Sequence, residues 1–338
     1  MNQTRVGVVG YGTIGKRVVD AIRLQPDLKL TGVSKVRADF ESSFITEHGI
    51  RLYAVTQEAD AAMKSSGIST SGLLKDMLAE SDVIIDCTPE GTGAKNKQLY
   101  QKVGIKAVFQ GGEKPDIAQT SFVSEVNYAD SLGKDFVRVV SCNTTGLCRT
   151  LSRINEEVGL KKVNAVIVRR AADPNEIKKG PINSLVPNPA KLPSHHAEDV
   201  RTILKGLDIF TSAVIAPTTL MHVHVVSAQL ERASTKDNIL SALSKSRRIR
   251  LVDSSMGIDS TASILEFAKD LKRPRNDMPE VVVWSDSVYV KDNEVHYMQA
   301  VHQESIVVPE NIDAVRAMLK LETDPQKSID ITNQSLLG

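Results

Sequence analysis

The chain has little of what most directly announces a specialised chemistry. It carries three cysteines, Cys87, Cys142 and Cys148, an odd count with no C-x-x-C pair. That spacing excludes a disulfide framework and the usual zinc patterns. Aromatic residues make up 4% of the sequence, with a single tryptophan, and the net charge is +1. Base stacking and a basic groove both lack their raw material, so no nucleic-acid partner is expected. No apolar run approaches the roughly 18 residues that a membrane span requires. The opening MNQTRVGVVG reads as a strand and a turn rather than a leader. A cytoplasmic enzyme or binding protein is the expectation. At 338 residues, 41% of them apolar, the chain is long enough for two domains with cores that need no disulfide or metal.

What is present is an alternation of strands and helices in the first half. RVGVV (5–9), LKLTGVS (28–34), DVIIDCT (82–88), KAVFQ (106–110) and FVRVVSC (136–142) are short apolar runs. Helical spacing lies between several of them. This pattern predicts a doubly wound parallel sheet covered on both faces. After residue 150 the runs lengthen and alternate, as in VNAVIVRRAAD (163–173), AVIAPTTLMHVHVVSAQLE (213–231) and EVVVWSDSVYVKDNEVHYMQAV (280–301). They predict an α+β domain on a mostly antiparallel sheet with one wet face. GPINSLVPNPAKLPS (180–194) holds four of the thirteen prolines and reads as a loop. NIDAVRAMLK (311–320) reads as a late helix.

Gly10, Gly12 and Gly15 form G-x-G-x-x-G between the first strand and the first helix. The first glycine allows the turn, the second a close approach of backbone to pyrophosphate, and the third tight helix–strand packing. An NAD site places an acid at the end of the second strand. Here Ser34, Lys35 and Arg37 stand at that point, and Asp39 is the first acid. The positive charge suits a 2′-phosphate, so NADP is expected ahead of NAD.

Cys142 ends a predicted strand and opens a predicted helix, where the dipole and free N–H groups favour a thiolate. LMHVHVV supplies His222 and His224, two residues apart and therefore on one face of a strand. A buried structural thiol and a satisfied strand histidine are the plain alternatives. Thiol, histidine and nicotinamide together are the equipment for oxidising an aldehyde through a thioester. Either histidine can serve as the base. Cys148 reads as core, and Cys87 as packing.

SCNTTGL (141–147), together with GYGTIGKRV (10–18), DCTPEGTGAKN (86–96), FQGGEK (109–114), VIVRRAADP (166–174), PSHHAEDV (193–200), PTTLMHVH (217–224) and HQES (302–305), resembles glyceraldehyde-3-phosphate dehydrogenase of the archaeal type. The resemblance covers nearly the whole chain. It implies a homotetramer that oxidises D-glyceraldehyde 3-phosphate with inorganic phosphate, using NADP or NAD. It makes Cys142 the nucleophile and His222 the base, with His224 second. Ser141, Asn143, His195 and His196 would line the substrate. Thr13, Ile14, Gly111, Arg170 and Gln303 would touch the cofactor. Arg169 and Arg170 alternate on a strand, so one of them is expected to face the site, and Arg169 is the candidate for phosphate. No metal is expected. The resemblance also implies a discontinuous nucleotide domain, residues 1–140 with 303–338, around a catalytic domain at 141–302. A related cysteine-dependent dehydrogenase of a semialdehyde or an acyl phosphate is the alternative. Its α-carboxylate substrates call for an arginine clamp.

Overall fold

A computed structural model of the chain describes residues 3–110, 112–172, 180 and 183–337. It divides into two compact units, Met1–Val140 with Val308–Gly338, and Ser141–Val307. The return to the first unit comes at Val308 rather than near 303. The cause lies in the intervening turn, whose residues are bonded inside the second unit. Met278 N–H donates to His302 Nδ1 (3.0 Å), and Arg149 Nη2 donates to the Ile306 carbonyl (2.9 Å).

The first unit is built on eight strands: β1 (Thr4–Val9), β2 (Leu28–Lys35), β3 (Leu52–Ala54), β4 (Gly72–Leu73), β5 (Val83–Asp86), β6 (Lys106–Gln110), β7 (Thr120–Phe122) and β8 (Phe136–Val139). They lie in the order β4-β3-β2-β1-β5-β6-β8-β7, and every pairing is parallel. The strand order reverses at β1, where the chain runs outward to β2 on one side and to β5 on the other. Ligands of such sheets bind at this reversal, beyond the carboxyl ends of the strands. Strands buried along their whole length, such as Val83–Asp86, need helices on both faces. The first of these is α1 (Thr13–Leu24), which buries Val18, Val19, Ala21 and Ile22 on one stripe. A second, α2 (Phe40–Glu47), follows β2 and is capped by Asp39, which accepts from Ser42 N–H. The returning helix Val308–Leu319 is buried almost throughout. Its Arg316 reaches Asp27 (2.7 Å) and Gln25 (2.8 Å), tying the chain's end to its beginning.

The second unit carries β9 (Leu160–Arg170), β10 (Val186–Pro187), β11 (Ile209–Ala216), β12 (His222–Leu230), β13 (Ile249–Val252), β14 (Val281–Trp284), β15 (Tyr289–Lys291) and β16 (Glu294–Val301). Their order is β10-β11-β9-β12-β16-β14-β13, with β15 beside β16. The sheet is mixed and mostly antiparallel, with two parallel pairs, β11/β9 and β13/β14. The apolar stretch 213–231 is therefore two strands joined by a turn, not one. Pro217 and the left-handed Met221 (φ 49°) lie in that turn. β12 alternates buried and less buried residues from His222 to Leu230, which sets His222 and His224 on the same inner face. The helix Cys142–Val158 belongs to the same unit. Among the described residues no helix is long and apolar enough to cross a membrane.

Candidate active site

Cys142 is the first residue of the helix Cys142–Val158, and Ser141 is its N-cap, accepting from Thr144 N–H. The expected depression of the thiol does not materialise. Burial pushes it up to about 11, against the pull of Arg169, Arg170 and the Asn143 backbone N–H, with Glu304 adding to the rise. Desolvation of a thiolate outweighs the two guanidinium charges and the Asn143 N–H here. The resting side chain is a thiol.

His222 is 1% exposed, and its Nδ1 accepts a hydrogen bond from Arg170 N–H at 2.9 Å. A neutral imidazole that accepts at one nitrogen carries its proton on the other. The proton is thus on Nε2, which is buried and meets no partner among the described residues. Burial, followed by the charge of Arg169, holds this ring well below the ordinary histidine range, so it stays neutral.

His224 lies in a different situation. Its Nε2 sits 2.9 Å from Asn143 Oδ1, and its Nδ1 is 3.0 Å from Gln299 Nε2. An amide nitrogen only donates, so His224 accepts from Gln299 and donates to Asn143. Both nitrogens of His224 are thus occupied, whereas Nε2 of His222 meets no partner among the described residues. Asn143 Nδ2 then faces His196 Nε2 (3.4 Å), and His196 Nδ1 faces Ser194 Oγ (3.1 Å). On the other side Gln299 Oε1 accepts from Thr150 (2.8 Å), which in turn accepts from Tyr297 (3.0 Å). A continuous chain of neutral hydrogen bonds therefore holds Asn143, the residue beside the nucleophile, in one orientation. Fully satisfied buried networks of this kind specify a single geometry.

The two arginines at the end of β9 diverge, as alternation predicts, yet the charge of each reaches both Cys142 and His222. Arg170 is 4% exposed. It donates to Gln303 Oε1 (2.7 Å), to Glu304 Oε1 (2.7 Å) and to the Thr219 carbonyl (3.3 Å). Arg170 and Gln303, both expected at the cofactor, are thus brought together and bonded to each other. Arg169 is half-buried and donates to Asn188 Oδ1. Its Nε meets no partner among the described residues, which leaves a donor for an anion. His195 is exposed and stacks on buried His196, ring centroids 4.0 Å apart.

Sequence reasoning missed Glu304, Gln299 and Asp199. Glu304 pairs with Arg170 from within the HQES motif. Asp199 accepts from Thr144 Oγ1 at 2.5 Å, which joins the first turn of the cysteine helix to the helix His196–Arg201. HHAEDV contained the signal for Asp199; nothing local distinguished Gln299. Among the described residues no group of three or more His, Cys, Asp or Glu could hold a metal ion.

The dinucleotide fingerprint lies in the first unit. Gly10 has φ +91°, open to glycine at little cost. A Cβ on Gly15 would stand 2.1 Å from the Gly10 carbonyl oxygen, whereas one on Gly12 would meet nothing within 4 Å. The turn thus packs against itself at Gly15 and leaves its backbone open at Gly12, as a pyrophosphate cradle requires. Thr13 and Ile14 open α1, which has no side-chain cap at Gly12, leaving the helix start to an anion. Gly10 N–H donates to the Ser34 carbonyl (3.2 Å) and brings the end of β2 against the turn. Ser34 Oγ is buried with no partner among the described residues. Arg37 is exposed. Lys35 is buried and ion-paired: its Nζ lies 2.8 Å from Asp39 and 2.6 Å from Glu41. Gly111 lies outside the described residues.

Comparison with known proteins follows the same division. Residues 141–287 match the family "Glyceraldehyde 3-phosphate dehydrogenase, C-terminal domain". Residues 4–115 match "Dihydrodipicolinate reductase, N-terminus". The chain is 54% identical over 331 residues to the glyceraldehyde-3-phosphate dehydrogenase of Methanothermus fervidus, covering 98% of each. It is 54% identical over 332 residues to that of Metallosphaera sedula, covering 98% of this chain and 97% of the relative. It is 51% identical over 336 residues to that of Hyperthermus butylicus, covering 99% and 98%.

Proposed function

The chain belongs to the glyceraldehyde-3-phosphate dehydrogenase family, and from this we propose how its own residues carry out that enzyme's reaction in glycolysis and gluconeogenesis. The reading is a reversible phosphorylating oxidation of D-glyceraldehyde 3-phosphate to 1,3-bisphosphoglycerate with NADP or NAD. The observation that carries it is a thiol at the start of the helix Cys142–Val158 in the unit that also holds His222, whose Nδ1 is taken by the Arg170 N–H at 2.9 Å and whose buried Nε2 meets no partner among the described residues.

Cys142 is the nucleophile. Its proton is released to solvent as the sulfur adds to the aldehyde carbon, and the C=O π electrons move onto oxygen. The sequence reading made His222 the base for the proton on that oxygen. The Arg170 N–H bond to Nδ1 narrows the role, since the ring presents Nε2–H. His222 therefore holds the developing alkoxide by donation, and hydride departs from an alkoxide rather than from a hydroxyl. A bound nicotinamide supplies the hydride acceptor, and the Gly10–Gly15 turn fits such a dinucleotide. The carbon is left as a thioester on Cys142. Attack by a phosphate oxygen on the thioester carbon then forms the acyl phosphate and expels the Cys142 sulfur. Arg169, whose Nε meets no partner among the described residues, binds phosphate from the substrate or the attacking anion. Arg170 and Glu304 form the buried frame that orients His222 through the Arg170 backbone. Ser141, Asn143, His195 and His196 line the substrate side. Assembly as a homotetramer is part of the proposal and is read by light scattering.

The test is a stopped-flow burst of NADPH on mixing enzyme, NADP and D-glyceraldehyde 3-phosphate. A burst near one equivalent per site without phosphate, with steady turnover only when phosphate is added, is the expected result. Full turnover without phosphate would replace it with a hydrolytic aldehyde dehydrogenase.

A further inference from the structure

Lys16 of α1 and Lys35 at the end of β2 are bridged by one carboxylate, Glu41 of α2. Its Oε1 is bonded to Lys16 Nζ and its Oε2 lies 2.6 Å from Lys35 Nζ. Asp39 takes Lys35 from another side, at 2.8 and 3.0 Å. Lys35 is 9% exposed, and the Glu41 side chain 16%. Two cations and two anions cancel in a cluster set against the glycine turn by the Gly10–Ser34 bond.

We propose that Glu41 is a specificity-determining residue that sets the discrimination between dinucleotides with and without a 2′-phosphate. The proposal rests on the reading of the Gly10–Gly15 turn as a dinucleotide site. A 2′-phosphate brings about −2 charge and strong acceptor oxygens. To use Lys35 and Lys16 it must take them from Glu41 and Asp39. A free 2′-hydroxyl needs an acceptor instead, and the two carboxylates are acceptors. The cluster thus accommodates either cofactor by an exchange of partners, and the carboxylate charge sets the balance. Glu41 is the deciding member because it holds both lysines. Asp39 also caps α2 by accepting from Ser42 N–H at 3.0 Å, so its removal would disturb the helix as well as the charge.

The experiment is Glu41→Gln in the full chain, with NADP and NAD each titrated by calorimetry. Removing one competing negative charge should tighten NADP about tenfold and change NAD by less than about twofold. The affinity ratio is the readout, since a general packing defect would weaken both. A ratio unchanged within about twofold, or parallel changes in both constants, overturns the proposal. Failure of the parent chain to bind either dinucleotide overturns the dinucleotide reading and this proposal with it, a result distinct from an unchanged ratio. Should Glu41→Gln not fold, Lys16→Gln is measured instead. It removes a cation from the cluster and should move the ratio toward NAD; no movement overturns the proposal.

Discussion

Lowering the pH through the ordinary histidine range should steeply destabilise the second unit. Three of its histidines are held neutral by burial. His196 is pushed down to about 3, by burial first and then by His195, Arg169 and His224. His224 is pushed down to about 3 by burial, and His222 lies well below its usual value. In the unfolded chain each returns to about 6.5. Below that value the unfolded state binds more protons than the folded one. Stability is therefore full above about pH 7 and is lost as the pH falls. Each ring contributes about 1.4 kcal/mol per pH unit once well below 6.5, so the three together give about 4 kcal/mol per unit. At pH 5.5 the loss relative to pH 8 is also about 4 kcal/mol, a large share of the roughly 5–15 kcal/mol typical of a domain. The assay is urea unfolding at pH 8 to 5, followed by tryptophan fluorescence. Trp284 is the single tryptophan. It is 7% exposed, lies in the second unit and donates to the Ile258 carbonyl at 2.7 Å. The signal therefore reports the unit that holds the histidines. In His224→Gln the slope should fall to about two thirds, because one of three protonation sites is gone. A stability that stays within about 1 kcal/mol between pH 7 and 5.5 would refute the neutral, buried arrangement on which the site description depends.

Other measurements address the nucleophile and its cations. With its thiol pushed up to about 11, Cys142 should react with iodoacetamide at a rate that rises about tenfold per pH unit from 7 to 10. A plateau near pH 8 would show an activated resting thiolate instead. Arg170→Met takes the guanidinium from Glu304, 3% exposed, which keeps His302 Nε2 3.4 Å from its Oε2, and should cost about 3 kcal/mol in the tryptophan-monitored unfolding. Arg169→Met removes one partly exposed bond and should cost about 1 kcal/mol, with its main effect a raised KM for the phosphorylated aldehyde. Equal stability losses in the two variants would contradict the division of labour between them.

Much of the architecture was written in local patterns. The glycine turn between β1 and α1 is legible because turn, phosphate approach and helix packing each demand glycine at a fixed spacing. The parallel first sheet follows from short, mostly apolar strands separated by helical stretches. Cys142 was singled out by the contrast between a polar setting and a strand–helix junction, and His222 and His224 by a period of two. The histidines' separate fates were invisible there. Whether a ring has a free nitrogen depends on partners 52, 75 and 81 positions away in the chain. Only the tertiary fold brings Gln299 and Asn143 to His224 and leaves Nε2 of His222 without a partner among the described residues. The same holds for charge. Lys35 reads as a free cation in the sequence, but the turn into α2 folds Asp39 and Glu41 back onto it. Cys142 reads as an activated thiol at a helix terminus, but enclosure raises it. Local sequence determines which groups are available and which backbone conformations they favour. Desolvation and long-range pairing decide their protonation and their partners, because both depend on what the rest of the chain places around them.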